Sequence, residues 1–225
     1  MHEVKYAQAL TGYLSSRLAK ADRLYVLHES QLPKVDDPDL DPRLDLDSLK
    51  PRLSIDTEHL QPAMDEARLI KTDYEIAMIR KANAVSSEAH RQVAKKMHAM
   101  TNECQLEATF LASCTAQNAH SQAYPIIAGS GTNASTLHYD ANNEPLEGRQ
   151  LVVLDAGAEW NCYASDITRT LPIGGSFSPE ARAIYDIVHQ MQEECIERIR
   201  PGVPFRDLHL HAGFVAVKGL LKLGM

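Results

Sequence analysis

The stretch LDAGAEWNCYASDITRT, Leu154 to Thr170, sets two carboxylates, Asp155 and Asp166, into a segment that otherwise reads as buried β-structure. A carboxylate among apolar groups is costly unless a cation or hydrogen-bond donors meet it. The reading of this stretch therefore decides both fold and chemistry. If LVVLDAG and YASDITRTL pair as antiparallel strands around a tight turn at Asn161–Cys162, Trp160 falls opposite Tyr163, Gly157 opposite Asp166, and Asp155 opposite Thr168. Side chains alternate across a strand, so Asp155 and Gly157 share a face. Asp166 then lies diagonal to Asp155, with Cβ atoms roughly 7–8 Å apart or a little less, and Gly157 leaves room between them. Arg169 falls on the opposite face and is poorly placed to neutralise either carboxylate.

Such a pair suits a small divalent cation. Paired metal ions sit ~3.5–4 Å apart in di-metal hydrolase sites, and all-oxygen ligation favours hard ions such as Mn or Mg over zinc. The competing reading makes Asp155 and Asp166 turn-end or capping residues, and the turn lacks the glycine of the preferred Asn-Gly hairpin. The pattern alone leaves both readings open.

Working outward, QLVVL ahead of Asp155 is apolar on both faces, as in a strand covered on both sides. If one cover is missing, the bare face should drive self-association. Upstream, TDYE reads as a capping box, followed by Met78, Ala82, Val85, Ala89 and Val93 at helical spacing. A second helix opens at Thr101 or Asn102 and buries Leu106, Phe110 and Cys114. AYPIIAG and STLHY read as extended runs separated by the turn-rich SGTNA, and NNEPLEG as a loop. Downstream, Ser178 as N-cap and Pro179 at the first position start a helix. Its core stripe is Ile184, Ile187, Val188, Met191, Cys195 and Ile199. RPGVP ends that helix, and a last one runs to the chain end. Helices, then strands, then helices make an α+β or α/β unit.

The N-terminal 30 residues read as an amphipathic helix (Val4, Ala7, Leu10, Leu14, Leu18) and the short strand RLYVLHES, with no secretory signal. Six aspartates interleaved with proline between Asp36 and Asp47 read as an acidic linker. A calcium loop there lacks its turn glycine and distal glutamate. The 225 residues suffice for one large domain or one plus part of another. A net charge of −7 with scattered Lys and Arg argues against nucleic acid or an acidic membrane surface as partner. No run approaches the ~20 apolar residues of a membrane span. Four cysteines without CxxC spacing read as reduced thiols of a cytoplasmic protein.

These segments resemble a known family. LDAGAEWNCYASDITRT is similar to the first metal-ligand segment of the pita-bread metallopeptidases, more narrowly Xaa-Pro aminopeptidase (aminopeptidase P) and prolidase. YPIIAGSGTNASTLHY resembles the segment that ends in the family's active-site histidine, here His138. LIKTDYEIAMIRKAN resembles the helix that opens the catalytic domain, and FSPEARAIYDIV and ERIRPGVPFRDLH the helices after the aspartates. The resemblance implies an α+β pita-bread (creatinase/aminopeptidase-like) fold, first half only, over residues 66–225. Residues 1–65 are then a remnant of the N-terminal domain with its linker.

It also implies a manganese-dependent exopeptidase acting on peptides with proline in second position. Asp155 would hold one of two Mn ions and Asp166 bridge both. His138 would contact the substrate carbonyl or assist proton transfer, and a homo-oligomer is open. His209 and His211 read as helix-surface or core histidines, and Trp160 as packing. The family's remaining ligands, one His and two Glu, belong to the second half of the fold, which the chain ending at Met225 does not reach. The expectation is a chain inactive on its own, or a relative that has lost catalysis and serves as a non-catalytic binding module.

Overall fold

The computed structural model describes residues 23–28 and 54–225. The helix expected near the N-terminus and the acidic linker lie outside the described residues. The chain divides into two compact units, one up to Thr72 and one from Asp73 onward.

In the first unit, β1 (Arg23–Tyr25) pairs in parallel with β2 (Ser54–Asp56), Leu24 opposite Ile55. The helix α1 (Leu60–Leu69) follows and runs across the 65/66 boundary expected from the sequence. Its approach is fixed by Asp56, whose carboxylate accepts from the backbone N–H groups of Glu58 and His59, both at 3.0 Å.

The second unit is built from two long helices, α2 (Asp73–Lys96) and α3 (Glu103–Ala116), laid on sheet. Asp73 and Glu75 sit in the first turn of α2 and Lys95 and Lys96 in its last, each sign matched to the helix dipole. Asn102 caps α3: its Oδ1 accepts from Cys104 N at 2.9 Å, while Gln105 Oε1 accepts from Asn102 N at 3.2 Å. The expected apolar stripes of both helices are buried, with Val85, Ala89, Val93, Leu106, Phe110 and Cys114 packed on Ala128, Val152, Leu154, Ala156 and Ala158 of the sheet.

The strands form two three-stranded antiparallel sheets. In one, β5 (Leu151–Asp155) lies between β4 (Ile127–Ser130) and β8 (Thr168–Pro172). In the other, β6 (Ala158–Trp160) lies between β3 (Ser121–Gln122) and β7 (Tyr163–Ala164). Asp155 faces Thr168 and Trp160 faces Tyr163, so a single register runs through the hairpin across the gap between the two ladders. At the turn, Asn161 and Cys162 both take positive φ, 48° and 67°. That is the backbone a two-residue hairpin with right-handed strand twist needs, reached here without glycine.

Two expectations fail. STLHY is not a strand: a 3₁₀ turn covers Gly131–Ser135 and an irregular turn follows, with Leu137 83% exposed. No apolar face is covered there, and the segment's polar groups are gathered by a side chain on α3 instead. The stripe on α4 (Pro179–Arg198) is not core either. Ser178 caps this helix as expected, yet no residue of α4 is buried, and Ile184, Val188 and Ile199 are exposed. The helix packs chiefly on α5 (Phe205–Lys222), where Gly219 admits Ile187 so closely that a Cβ would meet it at 2.7 Å. One helix as partner covers only part of an apolar stripe. Val152 and Leu154 of β5 are fully buried, whereas Leu151 and Val153 on the other face are only partly covered.

Candidate metal centre

The gap between the two ladders falls at Gly157 and Asp166. A Cβ on Gly157 would lie 1.9 Å from the carbonyl oxygen of Ser165 and 3.2 Å from the Tyr124 ring, so only glycine lets the strands and this ring come together. The room that Gly157 leaves between the aspartates is thus filled by Tyr124. The Gly157 carbonyl turns away from its hairpin partner and accepts from Ala123 N at 2.8 Å, which fixes the backbone just before the tyrosine.

Tyr124 joins the two carboxylates. Its hydroxyl oxygen lies 2.6 Å from Asp155 Oδ1 and 3.0 Å from Asp166 Oδ1. The two carboxylate oxygens are therefore no further apart than the sum of these two bonds, as the diagonal pairing requires. Burial, followed by the hydrogen bonds and charges of both aspartates, pushes the phenol far above its ordinary value, so it remains protonated. A hydroxyl carries one proton, so only one of the two contacts can be a full donation at any moment. Among the described residues no Lys, Arg or His forms an ion pair with Asp155 or Asp166, and the Arg169 guanidinium turns to the Thr168 carbonyl.

Three oxygens, two of them anionic, thus share one proton and meet no protein cation. That donor set fits a hard divalent ion, which takes oxygen ligands. It does not complete a site. Among the described residues no group of three or more His, Cys, Asp or Glu is placed to hold a metal.

His138 stands on the turn after the 3₁₀ segment, exposed, and makes no hydrogen bond among the described residues. Among the described residues no hydrogen bond or ion pair joins it to Asp155, Asp166 or Tyr124. What holds its segment is Glu103, the first residue of α3 and fully buried. One carboxylate oxygen accepts from Ser130 N (2.8 Å), Ser130 Oγ (2.6 Å) and Asn133 Nδ2 (3.1 Å). The other accepts from the Tyr139 hydroxyl (2.7 Å) and Glu144 N (3.1 Å). Burial alone pushes this carboxyl up. The converging donors outweigh it and bring the pKa down to about 2.

Neither Tyr124 nor Glu103 stood out in the sequence. Tyr124 lies 31 positions from Asp155 in an extended run with no periodicity to aim its ring. Glu103 reads as an ordinary acidic residue in a helix's first turn. Two clefts among the described residues lie elsewhere. One cleft of about 530 Å³ lies between α2 and α3, lined by Glu88, Gln92 and Ser113 among others, and one of about 320 Å³ lies between α4 and α5. Neither touches the aspartates.

The model of metallopeptidase family M24 matches residues 77–223. A protein of Colletotrichum graminicola named "Probable Xaa-Pro aminopeptidase" is 58% identical over 99% of this chain, which spans 41% of that relative. A relative with the same name from Metarhizium acridum is 51% identical over 99% of this chain, 42% of its own length. Among solved structures, zinc-substituted Escherichia coli aminopeptidase P in complex with product superposes with TM-score 0.79 at 30% identity, covering 96% of this chain and 50% of that one. Proline aminopeptidase P II from Yersinia pestis gives TM-score 0.78 at 32% identity, covering 96% and 50%. The chain thus spans less than half the length of these curated relatives and about half of the solved chains. Its mixed helices and sheets are a partial pita-bread fold.

Proposed function

The chain belongs to metallopeptidase family M24, and from that premise we propose that it carries the aspartate half of an Xaa-Pro aminopeptidase centre. The observation that carries the reading is the convergence of Asp155 and Asp166 on a single hydroxyl, with no protein cation between them. In this reading Asp155 and Asp166 are the residues of this chain that would hold the Mn ions. When bound, the metal pair lowers the pKa of a water and supplies the nucleophile for peptide hydrolysis. The chain's own residues do the rest. Tyr124 keeps the carboxylates together and donates its hydroxyl hydrogen bond to whichever oxygen is not engaged. His138, on the segment tied down by Glu103, meets the carbonyl of the substrate or steadies the proton on its way to the departing proline nitrogen. Residues 66–225 form the first half of the catalytic fold, residues 1–65 the remnant of an N-terminal domain, and the protein works in the cytoplasm.

Two carboxylates leave most of the roughly six positions of a hard ion to water, and catalytic groups need placement to within about half an ångström. The chain as it stands should therefore bind Mn weakly and release no N-terminal residue from an Xaa-Pro peptide at a useful rate. The assay is amino-acid release from such a peptide with added Mn, comparing this chain, its Asp166→Asn variant and a longer chain carrying the remaining ligands. Turnover by the longer chain, lost on Asp166→Asn, supports the reading. Turnover unaffected by that substitution overturns it.

A second reading, a non-catalytic binding module, is favoured by the lack of any three-ligand cluster among the described residues. It predicts that the longer chain is also inactive while retaining the fold.

A further inference from the structure

Two side chains of α2, one helical turn apart, cross the gap between the hairpin's two ladders. Ser86 is fully buried. Its hydroxyl accepts from Ala158 N at 2.8 Å and lies 2.7 Å from Ser165 Oγ, which in turn donates to the Ala158 carbonyl at 2.9 Å. His90 is 7% exposed, and its Nε2 lies 3.1 Å from the Ala156 carbonyl, which only accepts, so this nitrogen carries the proton. The Ile167 carbonyl also faces this ring, and it accepts from Ala156 N at 3.1 Å. The other ring nitrogen, Nδ1, is buried without a partner, and the ring stands edge-on to Phe110 with centroids 5.1 Å apart.

Ala156 and Ile167 are the residues immediately after Asp155 and Asp166. Ala158 and Ser165 flank the same gap on its other side. Here the ladder is only partly its own: Ala156 N and Ser165 N still bond across the hairpin to the Ile167 and Ala158 carbonyls, both at 3.1 Å, but Ala158 N goes to the Ser86 hydroxyl instead. A buried histidine with one nitrogen left unsatisfied is costly, so a purely apolar residue would pack better at this position. What the imidazole supplies in return is a fixed donor at the point where both aspartate-bearing strands meet.

We infer that Ser86 and His90 are positioning residues for the aspartate pair: by tying Ala156, Ala158 and Ser165 to one rigid helix, they set the spacing at which Asp155 and Asp166 face a cation. The inference rests on the metal reading proposed above. The groups that position metal ligands typically cost 10–100-fold in affinity when removed.

The test is Mn affinity of the whole chain, read from depletion of the free-ion electron paramagnetic resonance signal, beside thermal denaturation of each variant. His90→Phe keeps the ring volume and removes the donor. His90→Gln returns an N–H at a similar reach. Val93→Ala, one turn further along the same buried face, removes core volume beside the hairpin without removing a hydrogen bond to it. The expectation is that His90→Phe and Ser86→Ala bind Mn on the order of tenfold more weakly. His90→Gln should recover most of that loss, and Val93→Ala should bind like the parent despite a lower melting temperature. Mn affinity that follows melting temperature across all four variants, or that is unchanged in His90→Phe, overturns this inference alone. A parent chain that binds Mn no better than its Asp155→Asn variant overturns the metal reading and this inference together.

Discussion

Glu103 and the Asp155–Asp166 pair are carboxylates in one compact unit that the fold treats in opposite ways. Glu103 is completely buried and receives five donors from Ser130, Asn133, Tyr139 and Glu144. The aspartates lie nearer the surface, and the single proton of Tyr124 serves both. The first arrangement satisfies a charge so fully that it can sit in a core. The second leaves two charges short of positive partners, at a place where Gly157 admits nothing larger than a hydrogen. A carboxylate whose bonds are all met inside the chain has a structural task. One left short, as here with Asp166 exposed, is open to solvent or to a ligand.

The largest expected effect comes from emptying the satisfied site. Glu103→Ala orphans several buried donors and should destabilise the unit by about 3–5 kcal/mol in chemical denaturation. The same residue should give the acid limb of stability. Its folded pKa of about 2 lies below the ordinary 4.5, so its contribution is complete above pH 4.5 and lost as pH falls towards 2, on the order of 3 kcal/mol in all. Tyr139 and Glu144 face this carboxylate, and Arg149 reaches the same loop through the Ser130 carbonyl at 2.7 Å. Glu103→Gln should therefore flatten the acid limb between pH 4.5 and 2. An unchanged limb in that variant would mean the contrast is misdrawn.

Next comes the glycine that brings the short-changed pair together. Gly157→Ala drives a methyl into the Ser165 carbonyl, where backbone rather than a flexible side chain must yield. A loss of about 3 kcal/mol in melting or denaturant midpoint is expected, at the upper end for overpacking. Asp155→Asn and Asp166→Asn should behave in the opposite sense to Glu103→Ala. Each relieves like-charge repulsion and keeps an acceptor for Tyr124, so stability should stay within about 0.5 kcal/mol of the parent or rise. A drop of several kcal/mol in either would make the aspartates structural, as Glu103 is.

The hairpin that carries the pair was readable in the chain itself. The apolar run LVVL, the two-residue turn at Asn161–Cys162 and the spacing of the aspartates set a register that holds from Asp155–Thr168 to Trp160–Tyr163. Helix starts at Asn102 and Ser178 were equally legible, because capping chemistry is local. Tyr124 and Glu103 were not, because both act across more than 25 positions and neither sits in a periodic pattern that aims it. STLHY misled for a related reason: its β-prone residues follow Tyr139 and Asn133 to the Glu103 carboxylate rather than pairing in a ladder. The α4 stripe misled because helical periodicity reports an apolar face but not whether anything covers it. Of the residues read as functional, the two aspartates meet through Tyr124, while His138 lies exposed on the turn after the 3₁₀ segment.

The smallest effect tests the turn. Cys162 holds φ near 67° without glycine's freedom, so Cys162→Gly should raise stability by about 0.5–1 kcal/mol and leave the aspartates in register. Thermal denaturation gives the first quantity, and unchanged Mn binding reports the second.

The central claim is that the aspartate pair is short of positive charge because it holds a cation. Titration of Mn into this chain near neutral pH, followed by the free-ion resonance signal, tests it most directly. The account predicts saturable binding by the parent, weakened at least about tenfold in Asp155→Asn and in Asp166→Asn, with Glu103→Gln binding like the parent as long as it is folded. Equal binding by the parent and both aspartate variants would contradict it.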